Sequence, residues 1–252
     1  MTRVHPVAAA GFSAAAEVYE RARPTYPDEA VDWLVERAGL GPGRRVVDLA
    51  AGTGKLTRLL VPSGAKIVAV EPLAEMRALL ERVLPGVETI DAIAEELPFA
   101  DGAVDVVTVA QAFHWFDHAR ALPELHRVLR PDGGLLVLVW NTRDLDDPLQ
   151  RGVEKLLAPL RERDLPQAET RWRERLDRSP LFGPVEERRF DHEQLMSADT
   201  LADRVGSTSV VAAAPSAERA ALLARVRALA EGLPDPFPYR YVTEVQVAPR
   251  RD

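Results

Sequence analysis

Between residues 45 and 140 the chain switches repeatedly between two hydrophobic periods, and that alternation restricts its fold more than any other feature. Short, β-branched apolar runs stand at 45–50 (RVVDLA), 66–71 (KIVAVE), 87–91 (VETID), 104–110 (VDVVTVA) and 134–140 (GLLVLVW). Apolar runs of this kind suit strands covered on both faces. Helical patterns lie between them at 55–61, 73–84 and 118–129. In the last, Ala121, Leu122, Leu125, Val128 and Leu129 share one face at i, i+3, i+4 spacing. Pro131-Asp132-Gly133-Gly134 then stops the helix and turns the chain. Strand and helix in alternation predict an α/β fold with a parallel sheet and right-handed crossovers.

The flanks are less regular. Pro27-Asp28-Glu29 opens a helix whose Ala30, Val31, Leu34, Val35 and Ala38 share a face, and Gly39 and Gly41-Pro42-Gly43 end it. After the core, 142–180 reads as arginine-rich helices with a solvated face. A strand is expected at 185–190, a helix at 217–231 and a final strand at 239–248. There is no internal repeat. The 252 residues suit one large domain or one and a half. With 46% hydrophobic and 28% charged residues, a disordered chain is excluded. No cysteine is present, which removes thiolate catalysis, disulfides and Cys-ligated metal. The formal charge of −7 gives no overall field toward nucleic acid. The longest strongly apolar run is far below the roughly 20 residues that span a bilayer. The alanine-rich start carries Glu17 and Glu20 and reads as a short helix, not a signal peptide. A cytoplasmic location is expected, with no membrane partner.

The most informative segment is 46–55, VVDLAAGTGK, in which a buried strand ends in a glycine turn and runs into a helix. Open parallel sheets bind ligands at that edge. A triphosphate loop needs G-x-x-x-x-G-K-[ST]. Leu49 stands at its first glycine position and Leu56 follows Lys55, so the motif fails twice. A dinucleotide turn needs G-x-G-x-x-G, and Thr57 stands at the third glycine. Asp48 adds a carboxylate beside the turn, unfavourable to a diphosphate and favourable to a cationic ligand. Glu71 ends the next strand, at the place and spacing where a carboxylate accepts both ribose hydroxyls, a feature shared with nicotinamide dinucleotide proteins. Leu73 and Met76 beyond it either cover an adenine or pack in the core.

Taken in order, VVDLAAGTGKLTRLL, AVEPLAEMRALL and AEELPFADGAVDVVTVAQAFHWFDHARALPELHRVLRPDGGLLVLVWN resemble class I S-adenosylmethionine-dependent methyltransferases of the type 11 domain. The nearest branch in resemblance is the small-molecule group that includes trans-aconitate methyltransferase-like enzymes. The resemblance covers about residues 12–141. It implies a Rossmann-like, doubly wound, mostly parallel seven-stranded sheet with an antiparallel last strand and a helical cap. It further implies N-terminal helices folding over the cofactor (1–44), a cofactor-binding core (45–141), a helical substrate insert (142–182) and C-terminal elements completing the sheet (183–252). Carried over residue by residue, Asp48, Ala50, Gly52 and Gly54 line the methionine part of S-adenosylmethionine. Glu71 holds the ribose, Pro72 and Leu73 lie by the adenine, and Ala94 and Glu95 meet it from the third-strand turn. Ile93 stands where many relatives have an aspartate for the adenine amino group. Ala110 and Gln111 lie next to the sulfur. Phe12, Tyr19, Arg23 and Tyr26 resemble the segment that folds over the cofactor, with Arg23 paired to its carboxylate. Ala50 replaces the family's usual glycine, which asks that position 50 avoid positive φ.

Methyl transfer needs alignment of donor and acceptor and exclusion of water, with a general base only for a protonated acceptor. Residues 112–117, AFHWFD, follow the fourth strand. His114 there is either a base or a group that caps the next helix. His5, His118, His126 and His192 lack metal-ligand spacing, and no metal is expected. Phe113, Trp115, Tyr26 and Trp140 are candidate acceptor contacts, aromatic rings suiting a sulfonium; Trp140 and Trp172 suit core packing equally. Arg143, Arg151, Arg171, Arg173 and Arg175 either recognise an acid or, with Glu162 and Glu174 interleaved, form a solvated face. The function expected is methyl transfer to a small molecule at oxygen, with carbon or nitrogen as alternatives, by a monomer or homodimer that does not bind nucleic acid. An oxidoreductase using NAD and a non-catalytic cofactor-binding protein are the competing classes.

Overall fold

In a computed structural model, residues 16–164 and 172–252 are described. Helix α1 (Ala16–Ala22) and helix α2 (Asp28–Ala38) precede the sheet. Then come β1 (Arg45–Leu49), the single turn α3 (Thr57–Leu60), a 3-10 turn (Val61–Ser63), β2 (Lys66–Val70), α4 (Ala74–Val83), β3 (Glu88–Ile90) and β4 (Val106–Ala110). A 3-10 turn (Phe113–Trp115), α5 (His118–Val128), β5 (Leu135–Arg143), α6 (Pro148–Asp164) and α7 (Trp172–Asp177) follow. The chain ends with β6 (Glu186–Met196), α8 (Ala198–Gly206), α9 (Ser209–Ala212), α10 (Ser216–Leu229) and β7 (Phe237–Pro249).

The strands form one seven-stranded sheet in the order β3-β2-β1-β4-β5-β7-β6. β7 runs antiparallel to both its neighbours, and the other six strands run the same way. The expected Rossmann-like sheet with its antiparallel last strand is therefore present. Chain order reverses between β1 and β4, so their connections leave on opposite faces and open a crevice at the carboxyl ends.

Alternation along β1 sorts its side chains. Val47 and Leu49 face the core that holds Ala121, Leu125 and Val128 of α5. Val46 faces the other core, with Ala30 and Leu34 of α2 and Leu60 of α3. The period of two puts Asp48 on the same side as Val46. A third core joins Val153 and Leu157 of α6 to Leu201 of α8, Leu222 of α10 and Tyr241 of β7. The segment 142–182 and the segment after 183 thus share buried apolar surface. The helix expected at 55–61 is one α-turn followed by a 3-10 turn, because Pro62 lacks the N–H that would continue it. β5 and β6 are longer than their apolar runs, since antiparallel pairing with β7 carries them on to Arg143 and Met196.

Candidate active site

The crevice is built from the glycine turn. After β1 the backbone takes left-handed conformations at Ala50 (φ 54), Gly52 (φ 60) and Gly54 (φ 82), and Ala51 N donates to Val70 O at 3.1 Å. The expectation that Ala50 avoids positive φ fails. The turn imposes its left-handed geometry on the alanine, at roughly 1–2 kcal/mol of local strain. Gly54 is required for a second reason: a Cβ there would stand 3.1 Å from Leu80 and Leu84 of α4. Its place is the packing of turn against helix, and it does not line the crevice, whereas Ala50 and Gly52 do.

Asp48 lies under the turn and does not face the crevice directly. It is fully buried, with Thr57 Oγ1 donating to one oxygen at 2.5 Å and Thr108 Oγ1 to the other at 2.8 Å. Thr108 is its cross-strand neighbour on β4, and Thr57 begins α3. Burial pushes the carboxyl up to about 6 against those two hydroxyls. It ties together the pieces that define the crevice.

Glu71 follows β2, is 4% exposed, and receives Gly52 N on Oε2 and Leu73 N on Oε1, both at 2.8 Å. Burial pushes its carboxyl up to about 7, although the two backbone N–H groups favour the charged form. Each oxygen retains lone-pair capacity for a further donor, the arrangement a vicinal diol requires. Arg77 of α4 donates to Glu71 O at 2.6 Å and fixes that corner. Pro72 and Leu73 are half-buried beside it. Met76 shares the buried face of α4 with Leu79 and Leu80. Ala94 packs in the main core, and Glu95 accepts Asp117 N at 2.7 Å, fastening the third-strand turn to the loop after β4.

Across the crevice stand Ala110 and Gln111, the latter left-handed at φ 61 with its N–H on Val139 O at 2.9 Å. The turn that follows points Phe113 inward: it is fully buried, 5.6 Å from the Phe116 ring and 4.9 Å from the His118 ring. Its assignment as an acceptor contact is thereby corrected. His114 is half-buried, its ring tilted 4.4 Å from that of Trp115 and 5.5 Å from that of Trp140. It does not cap α5; Asp117 does, accepting Ala119 N at 3.1 Å. Trp140 is buried in the main core and closes the outer side of this aromatic cluster. His118, at the start of α5, is buried on Phe113 O at 3.0 Å, a structural role.

The N-terminal segment forms the remaining wall. Tyr26 is buried and lines the crevice. Arg23 lines it too, with Nε on Ser207 Oγ at 3.0 Å and a terminal nitrogen on Ser207 O at 2.8 Å. Phe12 and the side chains of Tyr19 and Trp172 lie outside the described residues. Sequence reasoning missed Glu20, which accepts Thr53 Oγ1 at 2.5 Å, pairs with Arg58 at 2.8 Å and stands 3.9 Å from Lys55. It also missed Asn141, which donates to Thr25 O at 2.9 Å, and Arg204, which reaches the crevice from α8. Glu20 offers no local signal, since its partners lie more than 30 residues away. The crevice contains about 470 Å³ of empty space, its mouth included.

The geometry fits an adenosine-bearing ligand: a carboxylate at the end of β2, close backbone approach at Gly52, and an aromatic cluster beyond β4. Residues 47–137 match the family model described as a methyltransferase domain. An uncharacterised methyltransferase of Mycobacterium tuberculosis is 43% identical over 218 residues, covering 86% of this chain and 84% of the relative. This chain belongs to the class I S-adenosylmethionine-dependent methyltransferases. A solved structure described as a type II methyltransferase from Anaeromyxobacter dehalogenans superposes with a TM-score of 0.67 at 27% identity, covering 91% of this chain and 97% of that one. A ubiquinone/menaquinone biosynthesis C-methyltransferase of Ectopseudomonas mendocina is 40% identical over 119 residues, 43% of this chain and 46% of that relative. Among the described residues, no helix is long and apolar enough to cross a membrane and no cluster of side chains is arranged to hold a metal ion.

Proposed function

We propose that this methyltransferase acts on a small-molecule acceptor, at oxygen, bound above the carboxyl ends of β4 and β5. The observation that carries the cofactor placement is Glu71, whose carboxylate is anchored by two backbone N–H groups beside the left-handed turn. S-adenosylmethionine supplies a methyl group already activated on a sulfonium. In this reading Glu71 accepts the two ribose hydroxyls, with Pro72, Leu73, Met76, Ala94 and Glu95 framing the adenine side. Ala50, Gly52, Ala110 and Gln111 border the methionine part, over a turn that Asp48 and Gly54 hold in shape. Arg23 takes the carboxylate, and Tyr19 and Tyr26 belong to the covering segment. His114 removes the acceptor proton from its place between Trp115 and Trp140, and the surrounding rings exclude water. Protein groups thus align and deprotonate, which is what an in-line displacement on a preactivated methyl demands.

Titration calorimetry with S-adenosylhomocysteine tests the placement. Tight binding by the wild type, and a loss of roughly 10- to 100-fold in Glu71→Ala, is expected from about 1–3 kcal/mol for hydrogen bonds to a charged group. Binding of NAD in place of S-adenosylhomocysteine would reject it; unchanged affinity in the variant removes Glu71 from the site. Carbon is the second reading, supported by the C-methyltransferase relative, which matches 43% of this chain. The mass-labelled product of [methyl-13C] transfer separates the two by the chemical shift of the new methyl.

A further inference from the structure

The arginines that invite an acid-binding reading in sequence are engaged elsewhere. Arg143 holds Glu154 at 2.9 Å, Arg151 donates to the carbonyls of Leu145 and Asp146, and Arg173 pairs with Glu187 and Glu244. Arg171 lies outside the described residues. The lysine that the failed triphosphate motif left without a role does reach the crevice. Lys55 follows Gly54, whose left-handed backbone (φ 82) and N–H on Ala51 O at 2.9 Å close the turn. It lines the crevice with Ala50, Gly52 and Arg23, and its side chain is 17% exposed. A lysine at the end of a glycine turn serves a bound anion as a compact point charge with three donors. Glu71 is anchored on the same turn through Gly52 N, so a diphosphate there would meet a carboxylate. A singly charged anion on a cationic nucleoside meets no such penalty.

Glu20 of α1 attracts Lys55 only at a distance. Its Oε1 meets Arg58 at 2.8 Å, and its Oε2 accepts Thr53 Oγ1 at 2.5 Å. Lys55 Nζ stands 3.9 Å from Oε2, beyond the length of a hydrogen bond. Arg58 is fixed in its place, since it also donates to Gly54 O at 3.2 Å and to Thr53 O at 3.3 Å. The short contacts of Glu20 are thus committed to other donors, and the Lys55 ammonium keeps capacity for a partner in the crevice. Burial pulls the Lys55 pKa below its ordinary value; Glu20 opposes the fall, and Arg58 and Arg23 deepen it. Two cations on the wall of a part-buried crevice favour an anion between them. Arg23 is held at that wall by Ser207.

We infer that Lys55, together with Arg23, receives the carboxylate of the cofactor's methionine part, so that the residue closing the glycine turn selects nucleosides carrying an amino-acid carboxylate. The inference rests on the methyltransferase reading above and adds a residue to its cofactor site. Lys55 comes from the turn after β1 and Arg23 from the covering segment, so a carboxylate shared between them fastens that segment onto the turn. An ammonium suits this place because its rotatable donors adapt to a carboxylate that a planar guanidinium already orients.

Titration calorimetry on the full chain compares S-adenosylhomocysteine with its decarboxylated analogue, which lacks only the carboxylate. The wild type is expected to bind S-adenosylhomocysteine about ten-fold or more tightly than the analogue, the size of hydrogen bonds to a charged group. In Lys55→Met that preference is expected to fall by roughly five-fold or more, while affinity for the analogue stays within about two-fold of the wild type. Lys55→Gln, which keeps a neutral donor on a shorter stem, is expected to lose the preference in the same way. Absence of a preference in the wild type overturns the inference, and so does a preference that survives both substitutions. A loss of affinity equal for the two ligands also overturns it, because Lys55 would then support the turn and not the carboxylate. A wild-type chain that does not bind S-adenosylhomocysteine fails at the earlier reading, before the analogue is added.

Discussion

Position 50 shows how little a residue type says about a backbone that the fold imposes. Ala50 stands at φ 54, between strand β1 and Gly52, where the chain must turn sharply to bring Gly52 N onto Glu71. Ala50→Gly removes the clash between Cβ and carbonyl, partly offset by the extra freedom glycine gives the unfolded chain. A net stabilisation of about 0.5–1 kcal/mol is expected in denaturant unfolding, and a destabilised variant would show that the strain is absent. Glu71 makes a pH prediction. Burial raises its carboxyl from 4.5 to about 7, so the folded chain binds the proton more tightly than the unfolded one. Its stabilising contribution is full below about pH 4.5 and is lost as pH rises through about 7. Asp48 acts in the same sense between 3.8 and about 6. In Glu71→Gln the Glu71 part disappears. The melting temperature of the wild type minus that of the variant should therefore fall between pH 4.5 and 7 in the absence of cofactor; a flat difference contradicts the shift.

At the level of elements, α1 behaves as a strap whose buckle is polar. Glu20 bridges Thr53, Lys55 and Arg58, while Arg21 pairs with Asp203 at 3.3 Å and Arg23 with Ser207. Burial lowers the Lys55 pKa, and Glu20 opposes that fall. These partly exposed pairs add little global stability, under about 1 kcal/mol each. They hold one element onto the glycine turn. Glu20→Ala is expected to leave the melting temperature nearly unchanged and to accelerate tryptic cleavage after Arg21 several-fold. Equal cleavage in variant and wild type would assign the hold to the Arg21–Asp203 and Arg23–Ser207 contacts. The sequence marks α1 as a helix, because alanine and alternating charge favour one. It does not mark where the helix docks, because the partners of Glu20 lie more than 30 residues away in the chain.

At the level of the whole molecule, the crevice exists because strand order reverses between β1 and β4. A ligand bound there binds only the folded chain and stabilises it by mass action, about 2.7 kcal/mol at a hundred times its dissociation constant. S-adenosylhomocysteine at that excess should raise the melting temperature by roughly 5–10 °C for a chain of this size. NAD should leave it unchanged; a shift with NAD of the same size would restore the dinucleotide reading. The sheet and the cofactor class were readable from local pattern: period-two and period-3.6 runs, a strand–glycine–helix turn and a carboxylate at the next strand end. Each of these is a neighbour-to-neighbour property, written within a dozen residues. What faces the crevice was not readable. Phe113 follows β4 as His114 does, yet a 3-10 turn buries one ring and sets the other, tilted, beside Trp140. The arginines of 142–180 look like an acid-binding set but mostly meet glutamates and carbonyls, whereas Arg204, from a helix more than 90 residues beyond Gln111, reaches the site. Sequence alone determined which elements form and which cofactor chemistry they suit, since hydrophobic period and turn conformation are local. Only tertiary structure decided which charged groups share the crevice, since that depends on contacts between segments far apart in the chain.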